Sequence, residues 1–122
     1  MDDLMRGADF AGKRVDGREG VRLGFVREIF VDVASGQARF LIVEAASLLG
    51  GSGKYHPVPW PAVRYDTVAG SFQLALTKDE FKAAPAYDRE QLGSPNSGWV
   101  EMSDRYFANG GQPVGAADLG QR

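Results

Sequence analysis

Few residues in this chain could do chemistry, and their surroundings decide what that chemistry is. There is no cysteine among the 122 residues, which excludes disulfides, thiolate metal ligands and cysteine nucleophiles, and fits a reducing compartment; the cytoplasm is the expected location. The one histidine, His56, is followed directly by Pro57, with no serine, carboxylate or second histidine beside it to complete a catalytic pair. It reads as a packing or solvent-facing ring, and no metal site is announced. Carboxylates are dense at Asp79/Glu80 and Asp88/Glu90, yet both pairs fall in the first turns of predicted helices, where negative charge is favourable without any catalytic role. Gly51-Ser52-Gly53-Lys54 invites comparison with a phosphate-binding loop. The comparison fails: Leu48 stands at the first glycine position, Tyr55 replaces the Ser or Thr after Lys54, and Pro57 and Pro59 occupy the expected helix start. A surface loop is expected there instead. No serine lies in a nucleophile-elbow context. The chain is therefore expected to be no enzyme, with no catalytic residues, no cofactor and no metal.

Charge narrows the partners. The formal net charge is −2, but residues 10–64 carry eight Lys/Arg against five Asp/Glu, and residues 65–122 carry five against eight. Arg14, Arg18, Arg22, Arg27 and Arg39 fall on strand-like segments, as the solvated face of a half-exposed sheet would place them. That surplus is small beside the basic footprint of a nucleic-acid binder, and it argues against a nucleic-acid partner. No stretch of 18 apolar residues occurs and MDDLMRGADF lacks an apolar signal-like run, so neither a transmembrane segment nor export is expected.

The elements that must position these residues are mainly β. The 16 glycines point to many tight turns between short strands in a single domain. The organising stretch is GVRLGFVREIFVDVASGQARFLIVE, residues 20–44. Val21, Leu23, Phe25, Ile29, Val31 and Val33 alternate with polar neighbours in the period of a half-buried strand, with a bulge expected at Val26-Arg27. Ser35-Gly36 supplies the turn and Asp32 stands ready to accept its amide hydrogens. Phe40-Leu41-Ile42-Val43 does not alternate, so both faces of that arm should be covered. Lys13 to Asp16 is a short strand at best. Three prolines confine residues 55–61 to an edge or a barrel corner. Val63–Tyr65 and Ser71–Leu76 form the last strand pair. Thr77 and Glu80 then make a capping box, with Leu76 and Phe81 as its staple, and Asp88 with Gln91 repeats the device before Gly93. Trp99, Met102, Tyr106 and Phe107 fall at helical spacing on one side of a final helix.

Leu23-Gly24 with Val26, Asp32 with Ser35-Gly36, Leu49-Gly50, Val58-Pro59-Trp60, and Leu76-Thr77-Lys78 leading into Ala83-Ala84-Pro85 together resemble the PRC-barrel family. That family includes the cytoplasmic domain of the photosynthetic reaction-centre H subunit, the C-terminal domain of the ribosome-maturation factor, and stand-alone bacterial members, to which this chain is most similar. The resemblance implies a mainly β fold: a small PRC-type β-barrel with a short helix after the last strand and a helical C-terminal extension. Residues 1–9 are expected to be a loose lead-in, 10–88 the barrel, 89–107 a helical extension packing on it, and 108–122 a tail. For function the resemblance implies a non-catalytic protein-interaction or assembly adaptor, here expected to self-associate as a homo-oligomer. A ribosome- or RNA-associated factor and a small-ligand-binding barrel are the alternatives. The expected partner-facing residues are Tyr55, His56, Trp60, Trp99, Met102 and Tyr106, because aromatics gather at interaction hot spots.

Overall fold

The structure, a computed structural model, describes residues 4–46, 54–94 and 98–108. Residues 47–53 of the glycine-rich connection expected at 45–54, and all of the tail expected at 108–122 except Ala108, lie outside the described residues. Six strands, β1 Arg14–Asp16, β2 Arg22–Asp32, β3 Gln37–Ala45, β4 Tyr55–Pro59, β5 Val63–Asp66 and β6 Ser71–Leu74, form one sheet in the order β4-β3-β2-β1-β6-β5. The sheet curls into a half-barrel. All neighbours are antiparallel except β1 and β6. Three short helices follow: α1 Lys78–Lys82, α2 Arg89–Leu92 and α3 Trp99–Ala108.

The hairpin of β2 and β3 dominates the sheet. Asp32 Oδ1 accepts from the amides of Ala34 at 2.9 Å and Ser35 at 3.4 Å, and Gly36 takes a φ of +77°, which an L side chain adopts only at a cost. Asp66 repeats the device at the β5–β6 turn, accepting from Val68 and Ala69 ahead of Gly70. The bulge expected at Val26-Arg27 is present: Val26 pairs with Val43 and Glu28 with Ile42, leaving Arg27 as the extra residue. A second irregularity on β2, where Asp16 pairs with Arg22 and Val15 with Gly24, leaves Leu23 as an extra residue and breaks the strict alternation expected of β2, while a third leaves Arg39 extra on β3 between the pairs Phe30–Phe40 and Val31–Ala38. Each extra residue moves the following side chains to the opposite face. Leu23 and Val26 are therefore fully buried while Phe25, Val31 and Val33 are exposed.

The unalternating run of β3 is covered on both sides. Leu41 and Val43 join Val15, Leu23, Val26, Val58, Phe72 and Phe81 inside the curl, whereas Phe40 and Ile42 pack outside it against Leu92 and Trp99. β4 lies at one end of the sheet, where the missing amide hydrogens of Pro57 and Pro59 do least harm. A 3-10 turn at Trp60–Ala62 carries the chain around a corner into β5. β1, expected as a marginal strand, is an interior strand of the sheet, held between β2 and β6. Its Asp16 is buried and accepts from Arg14 Nε at 3.1 and 3.2 Å and from Ser71 Oγ at 3.0 Å.

Both capping boxes form, Thr77 with Glu80 and Asp88 with Gln91. α1 ends at Lys82, before Ala84 meets Pro85. α3 lies against β4.

Candidate functional site

Five of the six residues expected to meet a partner lie on two touching elements: Tyr55 and His56 on β4, and Trp99, Met102 and Tyr106 on α3. They present very different surfaces. His56, Trp99 and Tyr106 are buried, Tyr55 is half-buried, and Met102 is 48% exposed. Trp60 stands apart in the 3-10 corner, its ring centroid 6.2 Å from that of Phe10 and 6.3 Å from that of Phe72, beside a recess of about 330 Å³.

Of the stripe expected on α3, Trp99 and Tyr106 are buried, Phe107 is half-buried and Met102 is exposed. Trp99, Ser103 and Tyr106 form the buried line, since Ser103 is one turn on from Trp99 and nearer the midline of that face than Met102. Tyr106 donates its hydroxyl hydrogen to the Glu80 carbonyl at 2.6 Å and so ties α3 to α1. Burial, then the charge of Glu80, raises the Tyr106 pKa above the usual phenol value.

Where α2, α3 and the turn end of the hairpin meet, they leave an apolar groove of about 600 Å³. Phe30, Phe40, Leu92 and Trp99 form its apolar surface, with Val31, Asp32 and Arg39 from the hairpin also lining it. The rings interlock edge to face, Trp99 with Phe40 at 5.0 Å and with Phe30 at 5.6 Å between centroids. Arg39 stacks on Phe40 at 4.8 Å and reaches Asp104 on α3 at 3.6 Å, fastening the helix across the groove's edge. Phe30 and Phe40 were not anticipated as site residues. Their signal was available: they are a cross-strand aromatic pair of the hairpin.

Three buried polar atoms have no hydrogen-bond partner among the described residues: His56 Nδ1, Trp99 Nε1 and Ser103 Oγ. An unsatisfied buried hydroxyl is costly, and alanine is the better helix former. Ser103→Ala is therefore expected to stabilise the chain by about 1 kcal/mol, read as a higher thermal midpoint. A lowered midpoint would show that the hydroxyl has an acceptor after all. His56 packs its ring on Phe81 at 4.4 Å between centroids. Burial lowers its pKa to about 4, with the carbonyls of Pro85 and Ala84 acting in the opposite direction.

Of the carboxylates considered for acid–base work, Glu80 and Asp88 serve in the caps: Glu80 accepts from the Thr77 amide and Asp88 from the Gln91 amide. None of Asp79, Glu80, Asp88 or Glu90 lines any of the four recesses formed by the described residues around Phe40, Arg18, Phe107 and Trp60. Among the described residues no three His, Cys, Asp or Glu side chains gather as metal ligands, and no helix is long and apolar enough to cross a membrane.

A family model for the PRC-barrel domain matches residues 2–81. No protein of curated function matches the chain. Among solved structures the chain is similar to a putative 16S ribosomal RNA processing protein, RimM, from Pseudomonas aeruginosa, with 18% identity and a TM-score of 0.43. That match covers 63% of this chain and 48% of the other, so the chain spans about half the length of that protein.

Proposed function

The chain belongs to the PRC-barrel domain family, and from that premise we propose that it is a non-catalytic assembly module that pairs with a second copy of itself. The observation that carries this reading is the groove beside the hairpin end. Val31, which lines the groove, is 48% exposed, and Val33, two residues further on at the hairpin turn, is 94% exposed, so free apolar side chains adjoin an apolar hollow. Adjoining side chains and hollow are what a two-fold interface needs, because each copy then fills the other. Charge points the same way. Asp32 and Arg39 both line the groove and give its rim one charge of each sign, as a self-complementary surface requires. Interlocked aromatic rings at the centre and polar residues at the rim are the usual layout of a contact surface. The absence of cysteine fits work in a reducing compartment such as the cytoplasm.

Sedimentation equilibrium across a wide concentration range tests the reading. The wild-type chain should approach twice its 13.2 kDa mass. Val33→Glu, at a position with almost no contacts to lose, should remain monomeric while keeping its thermal midpoint. A wild-type chain that stays monomeric at the highest concentration, or a Val33→Glu dimer as tight as wild type, would sink self-association through this groove.

A further inference from the structure

The overall charge of −2 conceals a basic face on other strands. Register places Arg64, Gln73, Asp16 and Arg22 side by side across β5, β6, β1 and β2. Side chains directly opposite one another across a sheet share a face. The single acid in this row is already engaged, since Asp16 is buried and held by Arg14 and Ser71. Arg64 and Arg22 form no ion pair among the described residues. At the β5 and β6 end of the row a recess of about 480 Å³ opens, lined by Arg18, Glu19, Arg64 and Gln73.

We propose that this recess is a binding site for a phosphate-type oxyanion, gripped by Arg18 and Arg64. The two guanidinium groups come from separate elements, the turn after β1 and strand β5. Their planar forks of N–H donors match the oxygens of a phosphoryl group. Arg18 is held in place by donation from Nε to the Ala75 carbonyl at 3.3 Å, which leaves its terminal nitrogens to bind. Gln73 is fixed as well: its amide nitrogen donates to Ser71 Oγ at 2.9 Å, and Ser71 in turn donates to Asp16. One carboxylate, the exposed Glu19, lines the recess against two guanidinium groups, so the local balance is positive. A doubly charged phosphate neutralises both arginines, which a single carboxylate does not. The recess is much larger than one phosphate, so the phosphoryl group belongs to a larger body or to a chain of them.

Titration of the full chain at low ionic strength, followed by amide NMR shifts, decides the matter. The probes are inorganic phosphate, a nucleoside monophosphate and a short single-stranded oligouridylate. Phosphate should shift the amides of Gly17 to Gly20 and of Arg64. Arg18→Gln and Arg64→Gln should each weaken binding about tenfold, whereas Arg22→Gln, which removes a charge from the same face outside the recess, should leave phosphate affinity within about twofold. Tighter binding of the monophosphate than of the oligonucleotide identifies a free small ligand. Tighter binding of the oligonucleotide, with affinity falling steeply as salt rises, identifies a nucleic-acid backbone. Absence of shifts in the recess, or an equal loss in Arg22→Gln, overturns the site.

Discussion

Gly24→Ala is expected to destabilise the chain by on the order of 3 kcal/mol or more, through a collision that no side-chain movement relieves. Gly24 sits in β2 between Val15 of β1 and Ala45 of β3. A Cβ built there would run into the backbone carbonyl oxygen of Glu44. The irregularity beside it, where Asp16 pairs with Arg22 and Val15 with Gly24, lets the sheet curl sharply at this point and brings the β3 backbone across the glycine. Adding a methyl group therefore means parting β2 from β3, the two longest strands. Two other glycines calibrate the result. Gly7 has nothing within 4 Å of an added Cβ, so Gly7→Ala should be neutral. Gly36 also has open space but a φ of +77°, so alanine there should cost about 1 kcal/mol from backbone strain alone. Urea midpoints of the three variants check the order. A Gly24→Ala midpoint equal to that of Gly7→Ala would mean that the strands are not so closely apposed.

What was legible in the sequence was local. Asp32 with Gly36, Thr77 with Glu80 and Asp88 with Gln91 act within a few residues of one another, so type and spacing suffice to read them. The run Phe40 to Val43 was legible for a related reason: a strand that does not alternate has no face to give to water. Illegible features depend on pairing. A bulge is a mismatch between strands, and only the Val26-Arg27 one left a trace in the alternation. β1 is three residues long, and its partner β6 lies more than fifty residues away, so Arg14 to Asp16 carries no sign of its interior place. Asp16 itself looks like a turn residue until Ser71 is set beside it. At the groove, Ser103 disguised the buried face of α3, because a serine without a hydrogen bond in a packed seam contradicts the pattern that sequence reading relies on. Trp99 was among the residues singled out, whereas its neighbours Phe30 and Phe40 depend on which face of the hairpin the bulges turn outward.

Acid should weaken the fold through His56 before the carboxylates are fully protonated. The ring is 4% exposed, packed on Phe81, and its pKa falls from 6.5 to about 4 because burial disfavours the charged form. Above pH 6.5 the imidazole is neutral in both folded and unfolded chains, and the group contributes no pH dependence. Between pH 6.5 and 4 the unfolded chain takes up the proton and the folded chain does not. Stability therefore falls with pH across that window and levels off below it, where the folded state protonates too. The loss attributable to His56 should be about 2 kcal/mol at pH 5 and about 3 kcal/mol by pH 4. His56→Leu keeps an apolar side chain against Phe81 and removes the titration. Unfolding free energies of wild type and variant, measured from pH 8 to pH 4, should diverge below pH 6.5 with the wild type falling faster; parallel curves would show that the ring is reached by water or paired when charged. The groove should stay out of this: His56 pairs with Val43 and packs on Phe81 inside the curl, whereas Trp99 packs with Phe40 and Ile42 outside it, so pairing through the groove should not follow the His56 titration while the chain stays folded.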